Sequence, residues 1–425
     1  MGTTRWPAPV AAGPVDAVVR LPGSKSVTNR ALVLSALAEA PTLLRAPLRA
    51  RDTLLMAAAL RALGTGVTDR DGDWYVEPAP LHGPATVDCG LAGTVMRFVP
   101  PLAGLAEGPV RFDGDARARQ RPMGAGLAAL RAVGARVADE GRGALPFTVH
   151  GTGGLAGGRV VLDASASSQF VSGLLLVGPR CRDGVEVAHE GPPMPSQPHV
   201  DLTVAMLRAA GAVAERLGPH RWRVAPGPLR GGARTVEPDL SNAAPFLAAA
   251  LVTGGRVRVP GWPAETAQPG AAVLGLLEAM GGRCTVAGGA VTVTGTGRIH
   301  GVDVDLHEVG ELTPTVAALA ALADAPSRLR GIGHLRGHET DRLAALAHEI
   351  TALGGDVTET EDGLLVRPRP LHGGDFATYD DHRLVTTGAL LGLAVPGVTV
   401  LDPGAVDKTL PAFPELWAEL LGGAR

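Results

Sequence analysis

The chain has 425 residues, 45% of them hydrophobic and 19% charged. That is enough apolar material for two or three cores, and it is far from the composition of a disordered chain. Its 39 basic and 42 acidic side chains leave a formal charge of −3, and aromatics amount to 3%, which argues against a general nucleic-acid binder and a base-stacking platform. Cys89, Cys181 and Cys284 stand apart, without CxxC or CxxH spacing. Neither a disulfide framework nor a zinc site is expected, and a reducing cytoplasm fits. Only two basic residues are lysines, Lys25 and Lys408, and the only asparagines are Asn29 and Asn242. GC-rich codons, as in high-GC bacteria, deplete both types. A lysine that survives such drift marks a place where a compact ammonium does what a planar guanidinium cannot.

The opening MGTTRWPAPVAAGPVD lacks a basic flank followed by an apolar run, so no signal peptide is expected. RWPAPV and DAVVRLPG read as strands. In LPGSKSVTNRALVLSALA a Ser-rich turn opens an apolar helix. Free N–H groups at that helix start, with Lys25 and Arg30 close by, make an anion site. A capped helix with a solvated lysine is the equally simple reading. MAAALRALGTGV then gives an amphipathic helix that ends near Gly64. Gly93 and Thr94 open the next helix, with Arg97 one turn in. GDARARQRPM brings Arg117, Arg119 and Arg121 together, either as a phosphate clamp or as a solvated loop. ASASSQFVSGLLL places Ser167, Ser168 and Gln169 at another start, either for a phosphate or as a cap.

The second half repeats this grammar. Glu311 precedes a buried helix, where a carboxylate also suits the helix dipole. His338, Glu339, Asp341 and Arg342 precede the next, as a binding set or a capping network. Asp381, His382 and Arg383 precede a third. Two adjacent aspartates and a histidine cannot all converge from a helix start, so no metal is expected there. The longest uncharged stretch, Leu384 to Leu401, holds three glycines and Pro396. It reads as a buried helix followed by a strand, not a membrane span. Lys408 comes just before the last helix.

A period runs beneath these elements. Apolar helix faces end at Gly64, Gly134, Gly211, Gly281, Gly354 and Gly422, separated by 70, 77, 70, 73 and 68 residues. Glycine suits a left-handed helix end, a fixed period signals repeated units, and polar-turned strand pairs follow all but the last helix. The N-terminal strands have no helix before them and the last helix has no strands after it, so the chain start is expected to complete the last repeat. Six units then form two domains of three. Residues 1–23 with 238–425 make one, and 24–237 the other. Repeated helix starts aimed at one ligand would surround a strongly anionic molecule with positive dipole ends.

The segments LPGSKSVTNR, GLAGTVMR, QRPM, SASSQF, GHETDRL, YDDHR and DKTLP, in this order from Leu21 to Pro411, resemble the motif set of the 5-enolpyruvylshikimate-3-phosphate synthases. The resemblance implies an α/β fold, the two-domain inverted α/β prism of six βαβαββ repeats, with the active site in the interdomain cleft. It implies transfer of the enolpyruvyl group of phosphoenolpyruvate to the 5-hydroxyl of shikimate 3-phosphate, with phosphate leaving, on the way to chorismate and the aromatic amino acids. No metal or cofactor is implied. The expected protein is a cytoplasmic monomer, inhibited by glyphosate, that binds neither nucleic acid nor membrane.

By the same resemblance, shikimate 3-phosphate meets Lys25, Ser26, Arg30, Ser167, Ser168, Gln169, Ser196, Glu311 and His338. Phosphoenolpyruvate meets Lys25, Gly93, Arg121, Gln169, Arg342, Arg383 and Lys408. Lys25, Glu311, His338 and Glu339 are the expected catalytic groups. The motifs from Lys25 to Gln169 and those from Glu311 to Lys408 fall in different domains, so closure on shikimate 3-phosphate is expected. Three positions depart from the common family pattern. Glu311 stands where many members carry Asp, His338 where they carry Lys, and Leu91 where Asn is common. His338, unlike a lysine, need not be charged at neutral pH.

The nearest rival is the enolpyruvyl transferase acting on UDP-N-acetylglucosamine. It typically has Asn after the first lysine and a Cys in a mobile loop. Here Ser26 follows Lys25, and Arg117–Pro122 contains no Cys. The set Lys25, Arg121, Glu311 and Lys408 also speaks against a non-catalytic anion-binding relative. Charge and low aromatic content speak against an RNA-end-processing enzyme.

Overall fold

The computed structural model describes residues 3–422. Its twelve α-helices are α1 (Lys25–Ala36), α2 (Arg51–Ala62), α3 (Gly93–Leu105), α4 (Gly124–Ala132), α5 (Gln169–Val177), α6 (Pro198–Ala209), α7 (Leu240–Thr253), α8 (Val273–Ala279), α9 (Thr313–Ala321), α10 (Arg342–Ala352), α11 (His382–Gly392) and α12 (Phe413–Gly422). None of them is long and apolar enough to cross a membrane. The chain divides into two compact units. One is Gly23–Val236; the other joins the residues up to Pro22 with those from Glu237 onward.

Odd- and even-numbered helices differ in kind. The odd ones are buried nearly all round: every residue of α9 is buried, and so are ten of the eleven in α11. A helix with no polar face must be enclosed by other elements. In the unit Gly23–Val236, α1, α3 and α5 touch one another, and in the other unit α7, α9 and α11 do. The even-numbered helices carry one apolar stripe. In α2 that stripe is Met56, Ala57, Ala59 and Leu60, while Arg61 is exposed.

The first five even-numbered helices each end two residues before a glycine with positive φ: Gly64, Gly134, Gly211, Gly281 and Gly354, at 93° to 104°. This is the left-handed closure the sequence pattern demands. An antiparallel strand pair follows each time. The five pairs are Gly66–Arg70 with Asp73–Glu77, Arg136–Ala138 with Phe147–Thr152, Ala214–Gly218 with Arg221–Val224, Arg283–Ala287 with Ala290–Thr294, and Asp356–Glu359 with Leu364–Arg367. Each pair joins a four-stranded mixed sheet whose outer strand runs parallel to its neighbour. The uncharged stretch from Leu384 forms most of α11 and then the strand Val398–Leu401.

The chain start serves two sheets, not one. Arg5–Pro7 pairs antiparallel with Val398–Leu401 and takes the place of the hairpin missing after α12. Asp16–Val18 instead runs parallel to Arg256–Pro260 and becomes the outer strand of the sheet that follows α7. The sequence expectation assigned both segments to the last repeat. The turn between them, AAGP, carries the chain to a neighbouring sheet of the same unit.

Candidate active site

In the unit Gly23–Val236 the first helix start is capped by Ser24, whose Oγ accepts from the Val27 N–H at 3.4 Å. Lys25 follows, about one fifth exposed, and its Nζ donates to Oδ2 of the fully buried Asp52 at 3.2 Å. The carboxylate, held at the first turn of α2, fixes where the ammonium points. Arg30, one turn into α1, faces inward and is 1% exposed. Its Nε donates to Thr203 Oγ1 at 2.8 Å, and its two terminal nitrogens donate to the carbonyls of Ser26 and His199 at 3.0 Å each. Burial pulls this guanidinium down to about 9, so it is still protonated at neutral pH. In this structure Arg30 braces α1 against α6.

Gly93 opens α3, and three side chains from separate elements meet at its Cα. A Cβ there would lie 3.0 Å from Arg97 Nη1, 3.3 Å from Gln169 Oε1 and 3.4 Å from Arg121 Nη1. Two Arg121 nitrogens and Gln169 Oε1 are buried with no hydrogen-bond partner among the described residues. Buried donors are nearly always paired, so a guanidinium held this way calls for an anion. The other two arginines of that loop lie elsewhere. Arg119 forms a two-pronged pair with Asp113 at 2.9 and 3.0 Å, and Arg117 donates to Gln120.

At the start of α5 the hydroxyls gather. Ser168 Oγ donates to the Ser196 carbonyl at 3.1 Å, and Ser167 Oγ accepts from the Gln169 N–H at 3.3 Å. Ser196 sits at φ 54°, in the left-handed region. A side chain seldom adopts that conformation without support from its surroundings.

In the other unit a chain of charges runs through four side chains. Lys408 Nζ donates to Glu339 Oε1 at 2.6 Å, Arg342 Nη2 donates to Glu339 Oε2 at 3.1 Å, and Arg342 Nε donates to Asp381 Oδ2 at 2.7 Å. Lys408 is 5% exposed, Arg342 2% and Asp381 0%. A buried ion pair persists only when hydrogen bonds fill its remaining valences. Here Asp381 also caps α11 by accepting from the Arg383 N–H at 2.9 Å. Burial alone would lower the Arg342 pKa, but Asp381 and Glu339 hold it above its ordinary value. Arg383 lacks such a grip and burial draws its pKa down; its Nη1 donates to the Ser241 carbonyl at 3.0 Å. Ser241 in turn donates its hydroxyl to Glu311 Oε1 at 3.4 Å.

His338 stands beside Arg342, with Nδ1 and Nη1 3.3 Å apart, and stacks edge-to-face on His334. Burial and the neighbouring His307 pull His334 down to about 4, so it is neutral at neutral pH. Asp381 is delivered by an unusual turn. Tyr379 and Asp380 are both left-handed, at φ 51° and 57°. Glu349 holds the turn by accepting from the Tyr379 hydroxyl at 2.6 Å and from the Ala377 N–H at 2.8 Å.

Within the first unit the structure thus groups Gly93, Arg121 and Gln169, and separately Ser167, Ser168 and Ser196. Within the second it joins Lys408, Glu339, Arg342 and Asp381 in one chain, with His338 beside Arg342, and Glu311 with Arg383 through Ser241. Asp52, Ser241 and Glu349 were not singled out from sequence. Each reads there as an ordinary helix-start or helix-face residue, and only the long-range pairings reveal it.

The sequence matches the family EPSP synthase (3-phosphoshikimate 1-carboxyvinyltransferase) over residues 10–417. It is 56% identical to the 3-phosphoshikimate 1-carboxyvinyltransferase of Kocuria rhizophila, over 98% of this chain and 96% of that protein. Among solved structures, an EPSP synthase from Acinetobacter baumannii matches with a TM-score of 0.82 at 25% identity, covering 99% of this chain and 98% of that one. The enolpyruvyl transferase NikO of Streptomyces tendae shares the fold, with a TM-score of 0.76 at 20% identity over 97% and 96% of the two chains.

Proposed function

The chain belongs to the EPSP synthase family, and from that premise we propose how its residues divide the work. The enzyme transfers the enolpyruvyl group of phosphoenolpyruvate to the 5-hydroxyl of shikimate 3-phosphate and releases phosphate. The 5-oxygen adds to C2 of phosphoenolpyruvate while C3 gains a proton. The tetrahedral adduct then loses phosphate from C2 and a proton from C3, which restores the double bond. Two phosphates and two carboxylates must be neutralised throughout, and two proton transfers must be served.

Phosphoenolpyruvate is held by Lys25, Gly93, Arg121, Gln169, Arg342, Arg383 and Lys408. Shikimate 3-phosphate is held by Lys25, Ser26, Arg30, Ser167, Ser168, Gln169, Ser196, Glu311 and His338. The cradle at Gly93 carries this reading, because Arg121 presents buried N–H groups with no acceptor among the described residues. Glu311 takes the hydroxyl proton and Lys25 serves the methylene carbon. An arriving phosphate competes with Glu339 for the Lys408 ammonium, which turns the Glu339 carboxylate toward the reacting carbons. Arg30, braced inside its unit, contributes its charge and the placement of Ser26 more than a contact of its own.

Phosphate release tests the activity. Phosphate should appear only when both substrates are present. Release from phosphoenolpyruvate alone, or with UDP-N-acetylglucosamine in place of shikimate 3-phosphate, would overturn the reading. The cradle makes a second prediction. Glyphosate carries a phosphonate and a carboxylate and should compete with phosphoenolpyruvate. A Cβ at position 93 would press on Arg97, Gln169 and Arg121 at 3.0–3.4 Å, tighter than ordinary contact. Gly93→Ala should therefore raise the glyphosate inhibition constant more than the KM for phosphoenolpyruvate. Equal losses for the two ligands would show that Gly93 does not line their common site.

A further inference from the structure

His189 ends the strand Val185–His189, paired in parallel with Gly158–Leu162, and is 7% exposed. Its Nδ1 accepts from the Ala164 N–H at 3.0 Å and lies farther, 3.4 Å, from the Leu162 carbonyl, and its Nε2 lies 2.9 Å from the Pro192 carbonyl. A ring nitrogen that accepts cannot carry the proton, so the proton is on Nε2 and is donated to Pro192. One neutral imidazole thus ties two separate segments. The first, residues 163–168, leads into α5 and carries Ser167 and Ser168. The second, residues 190–196, ends at Ser196.

The second segment needs an outside hold. Pro192, Pro193 and Pro195 supply no N–H, so the segment has few donors with which to fix itself. Its carbonyls are secured from elsewhere, that of Pro192 by His189 and that of Ser196 by Ser168 Oγ and the His199 N–H. His220 meets the His189 ring edge-on, with centroids 5.6 Å apart. The Asp163 carboxylate, held by the Ser165 N–H at 2.8 Å, is the charged group beside it.

We propose that His189 is a positioning residue for shikimate 3-phosphate: its single ring sets the spacing between the Ser167–Ser168 hydroxyls and Ser196. This rests on the assignment of those serines to that substrate. On this assignment His189 is not among the substrate contacts, and of the Gly93 cradle only Gln169 adjoins a segment that it holds, so the larger effect should fall on the KM for shikimate 3-phosphate. Replacing the ring by an apolar side chain strands the Ala164 N–H, a buried donor that tolerates poorly the loss of a partner, and releases the exposed Pro192 carbonyl to solvent, so the Pro-rich segment loses its tie.

The experiment compares His189→Leu, His189→Asn and Ser168→Ala in steady-state kinetics with both substrates varied. His189→Leu should raise the KM for shikimate 3-phosphate at least tenfold, with a clearly smaller change in the KM for phosphoenolpyruvate. His189→Asn, whose amide oxygen can replace Nδ1 toward Ala164, should recover part of that loss and carries the test if the Leu variant misfolds. If both KM values rise together, or if the KM for shikimate 3-phosphate does not move while Ser168→Ala raises it, the proposal fails alone. If Ser168→Ala also leaves that KM unchanged, the assignment of the serines fails first. The ring nitrogens of the wild-type enzyme give an independent reading by NMR. An Nε2–H tautomer is expected, and an Nδ1–H tautomer overturns the proposal.

Discussion

Lys25→Arg is expected to lose about 10²-fold or more in turnover while the protein remains folded. The substitution keeps the charge, and the chain tolerates arginine almost everywhere else. What changes is shape. An ammonium is compact and offers three donors on one atom, whereas a guanidinium is a broad plane that gives up its proton far less readily. Asp52 Oδ2 lies 3.2 Å from Nζ and is buried, so the carboxylate would force the larger group into a fixed and poorly fitting place. Near-normal turnover in Lys25→Arg would show that only the charge matters.

The scarcity of lysine allows a second test without mutagenesis. Among side chains, an amine reagent such as pyridoxal phosphate with borohydride can modify only Lys25 and Lys408. The structure ranks them. Lys25 is about one fifth exposed, while the Lys408 side chain is 6% exposed and tied to Glu339. Peptide mapping should find Lys25 labelled first, with activity lost in step. Shikimate 3-phosphate plus glyphosate should protect it. Complete labelling of Lys25 in a fully active enzyme would remove it from the mechanism.

Glu311→Gln is expected to keep substrate binding and to lower turnover about 10²–10⁴-fold, the usual worth of a positioned general base. That range corresponds to roughly 3–5 kcal/mol of barrier. The amide keeps the size of the acid and its contact with the Ser241 hydroxyl, 3.4 Å away, but it cannot take a proton. Binding measured by calorimetry separates this from a structural defect. A variant that binds both ligands and turns over normally would make Glu311 a helix-start carboxylate and nothing more.

The fold was largely legible because glycine is so informative at helix ends. Gly64, Gly134, Gly211, Gly281 and Gly354 mark the period in sequence, and each takes the positive φ that makes the mark necessary. The inner helices were visible only through the motifs at their starts, because a helix buried all round has no apolar stripe to betray its period. α7 follows no such motif, and with it Ser241 went unnoticed. The destination of Asp16–Val18 was not legible either. A three-residue strand shows no alternation, and only its parallel partner Arg256–Pro260 decides its sheet. Within the site, Lys25, Gly93 and Arg342 announced themselves by residue type and position at helix starts. Asp52 and Glu349 did not, since an acid on a helix usually serves only the dipole or the solvent. The arginine loop split in a way that sequence could not foresee. Arg119 finds Asp113 six residues back, and Arg121 points to Gly93.

The pairing of Arg5–Pro7 with Val398–Leu401 has a consequence for how the protein is made. Arg5 leaves the ribosome early, but its partner Leu401 is synthesised roughly 400 residues later. At about 5–20 residues per second that is a wait of roughly 20–80 s. The strand Asp16–Val18 waits a shorter time for Arg256–Pro260. Meanwhile Gly23–Val236 emerges without interruption and carries all three of its sheets within itself, closed when Gly232–Thr235 lies parallel to Thr42–Arg45. Synthesis therefore imposes an order that stability alone does not. The inserted unit can complete its folding on the ribosome, while the unit that surrounds it in sequence keeps its first strand, Arg5–Pro7, unpaired until Val398–Leu401 has been translated.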